Sequence, residues 1–125
     1  MTSHARWALV AGGFLLALAT ALGALGSHAL REHLAPDRLV VYETAVRYQF
    51  WHALGLLAIG LTARHVDSIL LSWAAGLVLA GIVLFSGTIY AMTFGAPRFL
   101  GAITPAGGMS LIVGWLVFAV AVWRS

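Results

Sequence analysis

The chain has no cysteine and no lysine, and only 9% of its 125 residues are charged. Without cysteine there are no disulfides, no thiolate metal sites and no redox-active thiol pair. With four acidic residues in the whole chain, paired-carboxylate chemistry has almost nothing to draw on. Proline is also scarce, at three positions, so long helices can run uninterrupted. Seven arginines give a formal charge of +3, yet no basic face with interleaved aromatics exists for a phosphate backbone to follow. Nucleic-acid binding is therefore not expected.

What is abundant is apolar surface: 62% of the residues are hydrophobic, against about 45–50% in a soluble domain. A soluble fold of this size buries only about two-thirds of the surface its unfolded chain exposes. This much apolar surface needs lipid around it. The composition predicts an all-α integral membrane protein.

Four spans are expected, at about 7–27, 40–63, 68–92 and 103–123. Each reaches the roughly 20 residues that cross a hydrocarbon core. The first apolar run, Trp7–Gly26, exceeds a signal-peptide core of roughly 7–15 residues, so an uncut helix is expected. Pro36-Asp37 marks the start of the second helix. Thr104-Pro105 supplies an N-cap and a first-turn proline for the fourth. The residues at 28–35, with His28, Arg31, Glu32 and His33, suggest a short interfacial helix. Short connections favour an antiparallel four-transmembrane-helix bundle as one domain, 1–125. Four spans put both termini on one side, and the arginine balance leans weakly to the cytoplasm. Trp7, Trp73, Trp115 and Trp123 read as interfacial aromatics.

The polar residues inside these spans form the candidate cluster: His28, Glu43, Arg47, Gln49, His52, Ser86, Thr88, Tyr90 and Thr104. Antiparallel packing brings them to one half of the bundle, while Leu54–Leu61 and Leu70–Leu84 stay almost wholly apolar. Glu43 and Arg47 are spaced i, i+4 in the favourable acid-first order. They read as an ion pair near the interface, or as a gate lining a cavity. His52 falls near the midplane, where its ring needs a partner on another helix. A backbone carbonyl, a water or a residue of the first helix is the expected partner, and Ser86 stands too near the interface. Proton relay through His52 is the functional alternative. Haem or metal ligation by His28 and His52 is not supported, since neither has an i, i+3 or i, i+4 ligand mate. No metal, cofactor or catalytic residue is expected.

Small residues complete the pattern. Gly12, Gly23, Gly26, Gly76, Gly107, Gly108 and Gly114 read as close helix-packing positions. None follows a strand, so nucleotide-loop readings fail their context. Thr104-Pro105 could alternatively open a broken helix whose amides bind an anion.

Four ordered segments carry a family resemblance: Gly23-Ala24-Leu25-Gly26-Ser27-His28-Ala29-Leu30, Tyr48-Gln49-Phe50-Trp51-His52-Ala53-Leu54, Leu84-Phe85-Ser86-Gly87-Thr88-Ile89-Tyr90, and Leu100–Gly108 followed by Gly114-Trp115. Together they resemble the YgdD-like group of small inner-membrane proteins, classed as a domain of unknown function with small eukaryotic transmembrane relatives. Leu25 and Ser27 depart from that pattern. The resemblance implies an uncut, four-span protein of the bacterial inner membrane, and no reaction. The lipid bilayer, other membrane proteins or a second copy are the expected partners. The expected role is a non-enzymatic structural or accessory component. The alternative is a small oligomeric transporter or channel, with His52, Glu43 and Arg47 in a vestibule.

Overall fold

Hydrocarbon offers backbone N–H and C=O groups no water, so runs this apolar satisfy themselves as helices. The computed structural model describes residues 2–125. Helix α1 is Ser3–Ser27, capped by the Thr2 hydroxyl, which accepts from the Ala5 N–H at 3.2 Å. Helix α2, Pro36–Thr62, opens with proline in its first turn, where a missing N–H costs nothing. Ser68 caps α3, Ile69–Ile82, by accepting from Leu70 N–H. The rod continues through a π turn, Val83–Gly87, into α4, Thr88–Thr93. Gly95 ends it with φ +105°, a backbone state open to glycine. Helix α5 is Thr104–Trp123.

Two boundaries differ from expectation. The connection after α1 forms only a 3-10 turn, Leu30–Glu32, and not a helix over 28–35. Helix α5 begins at Thr104, with Ile103 in the capping position. The Thr104 hydroxyl is used across the bundle rather than on its own first turn.

The helices stand as an antiparallel four-helix bundle made of two hairpins. In the first, α1 runs against α2: Gly60 faces Leu9 and Ala5, Gly12 faces Leu57 and Ala53, and Gly26 faces Tyr42. In the second, α3–α4 runs against α5, with Val78 against Gly114 and Phe85 against Gly107. The hairpins meet where α2 lies on α3 and α4. Ala8, Leu56, Ile59, Ala74, Ala75, Val78, Ile82 and Leu111 form the apolar core. Alanines and glycines at these seams let backbones come close, the packing mode on which helices in lipid rely.

Large apolar side chains point outward, among them Phe14, Leu18, Trp73, Met109 and Leu116. Three rods are long and apolar enough to cross a membrane: Ser3–Ser27, Ile69–Thr93 and Arg98–Trp123. Helix α2 is as long but less apolar, because Arg47, Tyr48, Gln49 and His52 interrupt it. It turns Tyr42 and Gln49 inward, where both are buried.

The bundle has a terminal end, with both termini and the 63–68 turn, and a loop end. This arrangement makes a labelling prediction. Cysteines introduced at Ser3 and Ser125 should react with an impermeant thiol reagent from the same side of sealed vesicles. Reaction from opposite sides would be incompatible with this bundle.

Candidate functional site

The polar residues of the loop-side half are held by the π turn and by the inward face of α2. A π turn bonds each N–H one residue further back than an α-helix does, which leaves a carbonyl without its usual partner. Thr88 repairs this, its Oγ1 lying 2.7 Å from the Leu84 carbonyl and 3.0 Å from that of Phe85. Thr104 Oγ1 lies 2.6 Å from Thr88 Oγ1. Thr104 Oγ1 also lies 3.4 Å from the Leu100 carbonyl, so the two hydroxyls link the α4 and α5 ends with either one as the donor. The widened turn also swings Ser86 toward α2, where its buried hydroxyl donates to the Ala45 carbonyl at 2.7 Å.

Gln49 is the hub. Its Nε2 donates to the Leu15 carbonyl of α1 at 2.8 Å, and its Oε1 accepts from the Tyr90 hydroxyl of α4 at 2.6 Å. One amide thus ties three helices. Tyr42, one turn beyond Ala45, donates to the Leu22 carbonyl of α1 and packs on the Tyr90 ring, with centroids 5.7 Å apart. Tyr48 stacks on Phe85 with centroids 4.7 Å apart.

His52 finds a partner that the sequence reading did not name. Trp115 Nε1 of α5 donates to His52 Nδ1 at 3.0 Å. Trp115 can only donate, so Nδ1 carries no proton and the neutral ring is protonated at Nε2. Trp115 is consequently no interfacial aromatic. Its ring lies against Gly55, where an added Cβ would come within 2.3 Å of Trp115 Cζ2. The expected partner was instead a backbone carbonyl, a water or a residue of the first helix, with Trp115 read as an interfacial aromatic. Gly55 opens a direct path to α5.

Gln49, Ser86, Tyr90, Thr88 and Thr104 are therefore joined between helices, and His52 is tied separately to α5. His28, Glu43 and Arg47 stand outside this network. His28 is exposed at the end of α1, where its backbone N–H bonds the Ala24 carbonyl. Glu43 and Arg47 are exposed on a groove floored by Gly23 and Gly26, with Ser27 and Val46 on its walls. Among the described residues they do not close the ion pair that their spacing allows. The amides that a broken-helix anion site at Thr104-Pro105 would offer are in part already used, Ala106 and Gly107 N–H donating to the Ile103 carbonyl at 3.0 and 3.3 Å.

The glycines divide in the same way. An added Cβ at Gly107 would lie 2.4 Å from Phe85 N, and one at Gly26 2.6 Å from Tyr42 Cε1. Gly12 and Gly114 are also close positions, whereas Gly23 makes ordinary contact with Val46 at 3.5 Å. Gly76 has nothing within 4 Å and lies on the exposed face of α3 beside Trp73; Gly108 meets only Phe85 Cδ1 at 3.9 Å. Neither of these two is a close-packing position. Gly76→Ala should therefore leave the fold intact and raise stability by up to about 1 kcal/mol through helix propensity. Thermal melting in detergent measures it, and a clear loss would show that Gly76 is covered.

Tyr42, Ser110 and Arg38 also bond between helices, outside the expected cluster. Ser110 donates to the Leu77 carbonyl at 2.7 Å, and Arg38 to the Met92 carbonyl at 3.2 Å. Tyr42 could have been found: with Ala45, Gln49, Ala53, Leu56 and Gly60 it falls on one helical face. Among the described residues no three His, Asp or Glu side chains gather to hold a metal ion.

A family profile described as protein of unknown function (DUF423) matches residues 22–108. This range holds every polar residue of the network. A UPF0382 membrane protein of Staphylococcus epidermidis is 42% identical over 113 residues, covering 90% of this chain and 92% of its own. The UPF0382 membrane protein YwdK of Bacillus subtilis is 40% identical over 114 residues, covering 90% and 93%. One from Staphylococcus saprophyticus is 40% identical over 116 residues, covering 93% and 96%. No solved structure matches. With its helical bundle, lipid-facing surface and near end-to-end likeness to these proteins, the chain belongs to the DUF423 family of membrane proteins.

Proposed function

We propose that the protein is a non-enzymatic structural or accessory component of the bacterial inner membrane, of the YgdD-like group, with both termini in the cytoplasm. One observation carries this reading. The side chains of Gln49, Ser86, Thr88, Tyr90 and Thr104 at the heart of the bundle are spent on one another and on backbone carbonyls. Charged or polar groups that move a solute line a path and meet water. Here Gln49 and Ser86 are about 1% exposed, while Glu43 and Arg47 line a shallow groove on the outside of the bundle. Such a network fixes helix register and presents a fixed outer surface to other membrane components.

The test is twofold. Native purification in lipid particles should recover defined protein partners. Proteoliposomes holding the pure protein should show no ion or solute flux above empty vesicles. Flux that disappears in His52→Leu or Arg47→Gln while the bundle stays folded would replace this reading with the vestibule reading.

A further inference from the structure

The outer face of α2 is unlike the outer faces of the other rods. Along α1, α3 and α5, the outward residues within the apolar runs are apolar or small. On α2 the outward residues include Glu43 and Arg47. The register fixes their depth. Arg38 bonds the Met92 carbonyl at the loop end of the α3–α4 rod, and Arg47 lies nine residues further along, about 13.5 Å deeper. Val46, beside it, is level with Gly23, inside the apolar run of α1. Arg47 is thus set about 13.5 Å below the loop end of the bundle, on a face that carries no other charge than Glu43, about 6 Å above it.

The same face continues as Trp51, Leu54, Ala58 and Leu61. Counted from Arg47, the steps are four, three, four and three, the spacing of a helix-pairing seam. Trp51 is 55% exposed and Leu61 52%, so none of the described residues covers the stripe. Ala58 puts a small residue in its middle, and Gly23 and Gly26 thin the wall beside its charged end.

We propose that two copies pair through this face of α2, Glu43 of each chain bonding Arg47 of the other. Identical chains insert in the same direction, so the two-fold axis stands along the membrane normal and the two α2 helices run parallel. Position 43 on one helix is then one turn from position 47 on the other, within reach of two long side chains. The face is its own charge complement. Two reciprocal ion pairs form, and the carboxylate and guanidinium that the monomer leaves bare are both neutralised. This proposal is independent of whether the protein is an accessory component or a transporter.

Charge reversal tests it in a way that an ion pair within one chain cannot mimic. Glu43→Arg gives two arginines on the seam, and Arg47→Glu gives two glutamates. Each variant alone should lose the homodimer. Co-expressed with different tags in native membranes, the two should co-purify at least tenfold better than either does with itself. The double variant Glu43→Arg/Arg47→Glu should pair with itself. Should a reversal prevent folding, Glu43→Gln/Arg47→Gln serves with a single cysteine at Ala58, in a chain that has no other. Oxidation should cross-link the Ala58→Cys protein and fail to cross-link the neutral variant, with both keeping their helical circular dichroism. Equal co-purification of all charge combinations, or wild-type particles holding one chain each in native lipid, would overturn the proposal.

Discussion

Gly107→Ala should unseat α5 from the π turn and cost about 3 kcal/mol, which is large for one methyl group. The added Cβ would lie 2.4 Å from Phe85 N, 2.6 Å from Leu84 C and 2.9 Å from Phe85 Cα. All three are backbone atoms, so no change of rotamer relieves the clash and a whole rod must move. The Thr88–Thr104 hydrogen bond at one side and Ser110 to the Leu77 carbonyl at the other pin the same seam. Separation would weaken both. The neighbouring position is the control. At Gly108 the nearest atom to an added Cβ is the flexible ring edge of Phe85 at 3.9 Å, so Gly108→Ala should melt within a few degrees of the parent. Melting in detergent followed by circular dichroism compares the two. Equal effects at both positions would mean that the α5–π turn contact is not the one described.

The contrast between these adjacent glycines shows how far the sequence could be read. Composition and run length were enough for the all-α bundle, since lipid leaves so few options for a chain this apolar. The antiparallel order followed from the short connections. The π turn was not legible, because nothing in Val83–Gly87 separates a five-residue turn from an ordinary one until α5 is placed against it. Gly76 and Gly107 look alike as letters; only the facing atoms distinguish them. The polar cluster was placed in the correct half, and Gln49, Ser86, Tyr90, Thr88 and Thr104 do meet there. Glu43 and Arg47 are expected as an ion pair near the interface or as a gate lining a cavity, and only the second reading needs them inside. On this helix the inward face is already filled by Tyr42, Ala45 and Gln49. The His52–Trp115 bond was hidden because Trp115 reads as an interfacial aromatic, and only the gap that Gly55 leaves brings its ring beside α2.

Gln49→Leu should destabilise the bundle by about 2 kcal/mol, and Tyr90→Phe by about 1 kcal/mol, with the double variant losing less than their sum. Leucine is close to glutamine in volume, so packing at this buried position changes little and the loss reports polar contacts. Two hydrogen bonds disappear together, one to the Leu15 carbonyl and one from the Tyr90 hydroxyl. The carbonyl keeps its own helical N–H, so its loss is small. The phenol is different. With Gln49 gone, its O–H sits half-buried against the Tyr42 ring without an acceptor, and that stranded donor costs more than the bond was worth. Removing the hydroxyl as well relieves the penalty, which is why the double variant should recover about 1 kcal/mol. Interhelical hydrogen bonds within membranes average about 0.6 kcal/mol and reach about 1.7, so a single simple contact would give a smaller effect than the one expected here. Reversible unfolding of the four proteins in mixed micelles closes the cycle. Strictly additive losses would show that Gln49 and Tyr90 act separately, and no loss in Gln49→Leu would remove the amide as the tie between α1, α2 and α4.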